Sequence, residues 1–150
     1  MKNDDYFMKK AFREAEKAFN KNEIPVGAVI VENNKIIARA HNNRDNYSIV
    51  TAHAEIIAVE KANKKKNNWR LLECTIYSTL KPCEMCMEVL KKAKIKQIIY
   101  AADQKKQVDE FDIKIKQIEN KSLITDAEKI IKKAFLDIRE KNNVSRETLQ

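Results

Sequence analysis

The sequence predicts an α/β fold, a sheet with parallel neighbours and helices packed on its faces. Two observations carry that prediction. Short runs rich in β-formers alternate with stretches of helical periodicity in the order β-β-α-β-α-β. The later strands are separated by helices, so each connection is long enough for the crossover that parallel strands need. No internal repeat and no Gly/Ser/Pro-rich linker interrupts the 150 residues, and one domain spanning 1–150 is expected.

Residues 4–20 read as the first helix, with Asp4 or Asp5 as its cap and Phe7, Met8, Phe12, Ala15 and Phe19 at helical spacing. The stretch VGAVIVENNKIIARAHN holds two strand-like runs, 26–32 and 35–40. Between them Asn33 and Asn34 tolerate the left-handed backbone of a tight hairpin. Residues 52–65 read as a helix with Ile56, Val59 and Ala62 on one face. CTIYSTL (74–80) reads as a strand, 83–93 as a helix and QIIYAA (97–102) as another strand. The segment 103–121 shows some alternation at Ile113 and Ile115 and receives no assignment. Thr125 and Glu128 form a capping-box pattern. The stripe Ile130, Ile131, Ala134, Phe135 and Ile138 follows, predicting a final helix of about four turns. Met and aromatic residues on these stripes are expected in the core.

Hydrophobic residues at 43% and charged residues at 35% fit a globular chain. No apolar run approaches the roughly 18 residues of a membrane span. The start, MKNDDYFMKK, lacks the apolar centre of a signal peptide. A cytoplasmic location with no membrane association is therefore expected, where a disulfide among Cys74, Cys83 and Cys86 is disfavoured. The formal charge of +8, from 30 basic and 22 acidic residues, suits a polyanionic partner such as nucleic acid. A chain rich in Lys, Asn and Ile with a single Gly also carries such an excess through composition alone, so charge supports a nucleic-acid partner without establishing one.

Chemistry concentrates in two short segments. KPCEMC (81–86) places Cys83 and Cys86 three positions apart, a spacing shared by redox pairs, structural metal knots and catalytic metal sites. Thirty residues before Cys83 stands TAHAE, with His53 and Glu55 separated by one residue. One imidazole and two thiolates make the three protein ligands of a catalytic zinc, whereas structural zinc takes four. Zinc so held lowers the pKa of water toward about 7. Cys83 follows Pro82 at a helix start, where the dipole favours thiolate. His53 falls in the first turn of the helix read at 52–65. Two helix starts can converge at the ends of parallel strands. Glu55, two positions on, points away from His53 and is placed to move protons without binding the metal. Singly, such a His packs or caps and such a Glu is solvated; jointly, H-x-E and P-C-x-x-C are the signature of zinc nucleobase deaminases. Cys74 could complete a structural Cys₃His site, but its place in a strand gives it no reason to point there, and it reads as a small buried apolar residue.

On these residues the chain resembles the cytidine and nucleoside deaminase superfamily, and within it the bacterial tRNA-specific adenosine deaminases. The resemblance runs from about the first helix to residue 102. It rests on NEIPVGAVIVENN (22–34), AHN (40–42), TAHAEIIA (51–58), NWRLLECTIYSTLKPCEMC (68–86) and KIKQIIYAAD (94–103). It implies a three-layer α/β/α cytidine-deaminase-like fold with a central mixed five-stranded sheet. It also implies a homodimer that deaminates the wobble adenosine of a tRNA anticodon stem-loop to inosine, releasing ammonia. His53, Cys83 and Cys86 would bind Zn²⁺, Glu55 would shuttle protons and Asn42 would contact the flipped-out base. His41 reads as structural.

Family members usually carry a Gly-Ala pair just after the second cysteine, where this chain has Met87-Glu88-Val89. AADQKKQVDEF stands where a Gly- and Ser-containing loop is common. The last helix keeps Phe135 and Arg139 but not a dense aromatic-basic run. Lys64, Lys65, Lys66, Lys105 and Lys106 could hold phosphates, against a default of solvated surface. Two alternatives stay open: a free-base or nucleoside deaminase of guanine or cytosine type, and a non-catalytic zinc-stabilised subunit or RNA-binding module.

Overall fold

The computed structural model describes residues 1–104 and 112–148, without the side chains of 138, 139 and 141–148. Lys105, Lys106 and the side chain of Arg139 lie outside the described residues. Among the described residues ten elements follow one another: α1 (Asp4–Asn20), β1 (Gly27–Glu32), β2 (Lys35–His41), α2 (Arg44–Tyr47), α3 (Ala54–Lys66), β3 (Cys74–Leu80), α4 (Glu84–Lys92), β4 (Gln97–Ala102), β5 (Lys114–Gln117) and α5 (Lys121–Thr148). The sheet order is β2-β1-β3-β4-β5. β1 is antiparallel to β2 and β3, and β3, β4 and β5 run parallel. The expected mixed five-stranded sheet is therefore present.

β1 shows why the sheet carries helices on both faces. Ala28 and Ile30 join a cluster with Ala54, Ala58, Val59 and Ala62 of α3 and Met87 and Leu90 of α4. Val29 and Val31 turn the other way, into a cluster with Phe7, Met8 and Ala11 of α1 and Leu123 and Ala127 of α5. Alternating side chains of one strand thus bury both sheet faces, giving three layers. The β1–β2 hairpin turns on Asn33 and Asn34 at φ 51° and 60°, the left-handed pair expected there.

Several local expectations are corrected. Asn3, not Asp4 or Asp5, caps α1, its Oδ1 accepting the Tyr6 N–H at 3.0 Å. Asp4 and Asp5 are then free to tie α1 to β3, β5 and the start of α5 on its own face of the sheet: Asp4 accepts from Tyr77 Oη at 2.6 Å and pairs with Lys116, and Asp5 accepts from Asn120 Nδ2 at 3.0 Å. β5 comes from the segment left unassigned. It is an edge strand with Lys114, Lys116 and Gln117 exposed; Ile113 and Ile115 pack half-buried against one core cluster and Ile118, just past the strand, is buried in the other, so the apolar signal is thin. The last helix starts at Lys121 rather than Thr125, because Asn120 Oδ1 accepts the Leu123 N–H at 3.2 Å and Leu123 and Ala127 bury against the sheet. Thr125 and Glu128 are interior to the helix, which runs 28 residues rather than four turns. α3 begins at Ala54 and α4 at Glu84, so His53 and Cys83 are cap residues. Met87 fills the core beneath α4, while Glu88 is half-buried at its flank, which is how the helix accommodates the departure from Gly-Ala.

The one glycine of the chain sits where α1 crosses β1. A Cβ on Gly27 would lie 2.0 Å from Ala11 O and 2.5 Å from Ala15 N, both backbone atoms of α1. Ala11, Ala15 and Ala18 are wholly buried, so α1 rides unusually low on the sheet. Gly27→Ala must push the whole helix outward; a loss of about 3 kcal/mol or more is expected, a fall of roughly 6–12 °C in thermal unfolding.

Candidate metal centre and cavity

The strand directions bring the chemistry to one edge of the sheet. β2, β3 and β4 end there and β1 begins there, as the Gly27–His41 and Leu80–Ala102 pairings require. Val26, Asn42, Leu80, Ala102 and Asp103 consequently line a cavity of about 590 Å³. Its other walls are His53, Ala54 and Glu55 from the start of α3, Cys83 from the start of α4, and Ile131 and Phe135 from α5. Arg44, Lys81 and Lys132 stand among the lining residues, as do Asp103 and Glu128.

His53 and Cys83 each leave an extended backbone, ψ 150° and 173°, and cap their helices. Neither cap makes a side-chain capping bond, so both side chains are free to turn toward one another. His53 Nδ1 lies 3.7 Å from Cys83 Sγ and 3.5 Å from Cys86 Sγ. A tetrahedral metal with bonds of about 2.0–2.3 Å sets its sulfur and nitrogen ligands roughly 3.6 Å apart. The donor atoms of His53, Cys83 and Cys86 all lie within 4.8 Å of one another, and among the described residues they are the group of three that can hold a metal ion. Cys83 is pulled down to about 4, first by the Cys86 thiol donating to it and then by His53. Cys86, buried and giving that hydrogen bond, is held protonated well above the ordinary thiol value, and His53 is raised by its contact with Cys83. Two sulfurs sharing one proton beside an imidazole form a site ready to exchange that proton for a cation.

Glu55 is 4% exposed, and its Oε1 is buried without a hydrogen-bond partner. Burial pushes its carboxyl above the ordinary value, against the pull of the Cys86 thiol. An orphaned buried oxygen is costly, and such groups in native proteins call for an explanation. Asn42 is buried in the cavity wall, its backbone N–H on Val26 O at 3.1 Å. The sequence-derived set His53, Glu55, Cys83, Cys86 and Asn42 is thus brought together.

Other expected residues fall elsewhere. Cys74 begins β3, about 20 Å from the cavity end of that strand. Its Sγ lies 3.4 Å from Glu32 Oε2, and burial raises it to about 11. His41 is structural, Nδ1 at 3.3 Å from Glu14 Oε1 and Nε2 at 3.1 Å from Lys21 Nζ. Lys64, Lys65 and Lys66 occupy the last turn of α3, remote from the cavity, and Lys66 is paired with Glu32. Sequence reasoning gave no role to Glu23, although it lies within the stretch NEIPVGAVIVENN that carried the resemblance. Glu23 Oε1 accepts the Asp45 N–H at 3.1 Å, and Oε2 accepts Asn46 N at 2.7 Å and Nδ2 at 2.6 Å. Burial opposes its charge most strongly, yet those hydrogen bonds hold its carboxyl below the ordinary value.

Residues 2–139 match the MafB19-like deaminases. The chain belongs to that family. This deaminase-family chain is 45% identical over 101 residues to a tRNA-specific adenosine deaminase of Streptococcus pyogenes serotype M18, covering 67% of itself and 64% of the relative. It thus spans just under two thirds of that relative's length. In structure it resembles a chain solved in studies of A-to-I editing by tRNA:A34 deaminases at the wobble position, with TM-score 0.78, 28% identity, and 84% and 99% of the two chains covered. It also resembles a guanine deaminase of Bacillus subtilis, with TM-score 0.66, 30% identity, and 83% and 90% covered.

Cys74→Ser is expected to leave bound metal unchanged and Cys86→Ser to lose it, as read by elemental analysis of the purified protein. Loss of metal in the Cys74 variant would place a fourth ligand where the geometry has none. Glu23 provides a pH test. Its folded pKa lies below 4.5, so its stabilisation is present above that value and is lost as pH falls through the depressed one. Glu23→Gln should be less stable than the parent at neutral pH, with the gap closing in acid, by urea unfolding from about pH 3 to 7.

Proposed function

We propose that this chain is a cytoplasmic, zinc-dependent hydrolytic deaminase that converts adenosine to inosine at the wobble position of a tRNA anticodon loop, releasing ammonia. The observation that carries the reading is Glu55: a buried carboxylate with one oxygen unpartnered, in a cavity wall beside three side chains that can hold a metal. A structural metal site has no use for it. The names and wobble-position context of the relatives above support the substrate, and an anticodon loop suits such a cavity because its bases are already unpaired and cost little to extrude.

His53, Cys83 and Cys86 would hold zinc, and their separations fit it. Bound there, zinc supplies the Lewis acidity that makes hydroxide available near neutral pH. The remaining work falls to the chain. Glu55 Oε1, having no protein partner to surrender, accepts the proton of the attacking water, delivers it to the ring nitrogen beside the amine-bearing carbon, and assists departure of the amine as ammonia. Asn42 holds the base by hydrogen bonding from the cavity wall. Leu80, Ile131 and Phe135 shield the reacting atoms from bulk water. Arg44, Lys81 and Lys132 meet flanking phosphates. A homodimer belongs to this proposal, supported by the exposed apolar side chains of Tyr47, Ile49 and Val50, in the segment between the cavity residues Arg44 and His53.

Glu55→Ala should keep its zinc and lose about 10²–10⁴-fold or more in ammonia release, and turnover at the parent rate would remove the shuttle role. The substrate is tested by comparing ammonia and inosine formation on anticodon stem-loops with free adenine, guanine, cytosine and their nucleosides. Turnover of the stem-loop is expected. Activity confined to a free base would instead favour the guanine-deaminase kind of chemistry suggested by the second structural likeness.

A further inference from the structure

Glu23 is a buried acid that the proton transfers above do not use. It sits between α1 and β1 at 3% exposure, and its three hydrogen bonds all come from α2. α2 is a single turn with no buried side chain, and its cap Asn43 makes no side-chain capping bond. A turn this short fixes several dihedrals for little internal hydrogen bonding, and its first N–H groups have no partners within it. Two side chains from outside the turn supply those partners in succession. Asn42 Oδ1 accepts the Arg44 N–H at 3.2 Å, and Glu23 accepts the next two, from Asp45 and Asn46. The side chain of Asn46 adds a second tie to the same segment, its Nδ2 reaching Lys21 O at 3.3 Å.

This arrangement decides which way the Asn42 amide faces. A backbone N–H can be met only by the amide oxygen, so the Arg44 contact assigns Oδ1 to the α2 side and Nδ2 to the other. Nδ2 lies 3.4 Å from Ile24 O, at the long limit of a hydrogen bond, and carries a second hydrogen. Both Ile24 and Asn42 line the cavity. We propose that Glu23 is a positioning residue for substrate: by holding α2 through Asp45 and Asn46, it keeps the Arg44 N–H against Asn42 Oδ1 and makes Asn42 an N–H donor to an acceptor atom of the bound base. The inference rests on the nucleobase-deaminase reading of the cavity. It accounts for an acid at position 23 rather than an amide, since a glutamine would turn an NH₂ toward an N–H of α2.

The test is a double-variant cycle in the full, zinc-loaded chain with an anticodon stem-loop as substrate. Glu23→Gln is expected to lower kcat/KM about ten-fold or more with zinc content unchanged, and the double variant Glu23→Gln/Asn42→Ala to match Asn42→Ala within about two-fold. Losses that multiply in the double variant would overturn the inference, because a merely structural acid acts independently of Asn42. Should Glu23→Gln not fold, Asn46→Ala, which removes the side-chain amide that donates to Glu23 and to Lys21 O and keeps the backbone N–H, takes its place with a smaller expected loss of about three-fold. NMR gives a readout independent of turnover: in the variant the Asp45 and Asn46 amides should exchange about ten-fold faster or more, and the Asn42 side-chain amide resonances should move. Unmoved Asn42 resonances would overturn the inference. Absence of stem-loop turnover in the parent counts against the proposed function alone, and the NMR comparison then decides the role of Glu23.

Discussion

His53 and Cys83 each end an extended segment and cap a helix, and the sheet sets those two caps side by side. The rest of the site depends on that juxtaposition. β2 and β3 both finish at the same edge, so the chain leaving β3 turns into α4, and the chain leaving β2 passes through α2 into α3, within reach of each other. Cys86 follows one turn later on α4 and completes the ligand set from behind. Both donors lie at the positive ends of helices, where a thiolate is favoured before any metal arrives. Glu55 enters the cavity only because α3 starts at Ala54, which carries the carboxylate inward in the first turn.

Among the described residues three glutamates are buried, and their treatment differs in a way that separates support from chemistry. Glu14 is answered by Lys17 at 2.6 Å and by His41. Glu23 is answered by three N–H donors of α2. Each is ionised below the ordinary value because its partners favour the charge. Glu55 has one oxygen with no partner and is raised instead. A fold that satisfies two buried acids and leaves the third open facing a cavity concentrates its unsatisfied potential where a ligand binds.

Legibility in the sequence followed the size of the local signal. β1, β3 and β4 are buried on both faces or nearly so, and their dense runs of β-formers were readable to within a residue. Asn33-Asn34 announced the hairpin because few residues other than glycine adopt two left-handed conformations in a row. β5 was hidden because an edge strand presents mostly Lys and Gln, with pairing to β4 supplying its order. α2 was hidden because one turn has no periodicity to detect, and what stabilises it is a carboxylate some twenty positions earlier. The capping-box pattern at Thr125 misled because Asn120, anchored by Asp5 of α1, starts the helix sooner.

The sequence by itself determined the make-up of the candidate site: His53, Cys83, Cys86 and Glu55 declare themselves by residue type and spacing, because a metal site accepts few donor types and local backbone geometry sets their separations within each motif. It determined the two-sided sheet for a similar reason, since burial on both faces forces an apolar run. Only the tertiary structure decided what the cavity is made of. α5 closes it with Ile131 and Phe135, and Glu23 reaches across to α2 beside Asn42. Those relations join residues far apart in the chain through packing and single hydrogen bonds, and such contacts leave no periodicity or motif in the sequence that makes them.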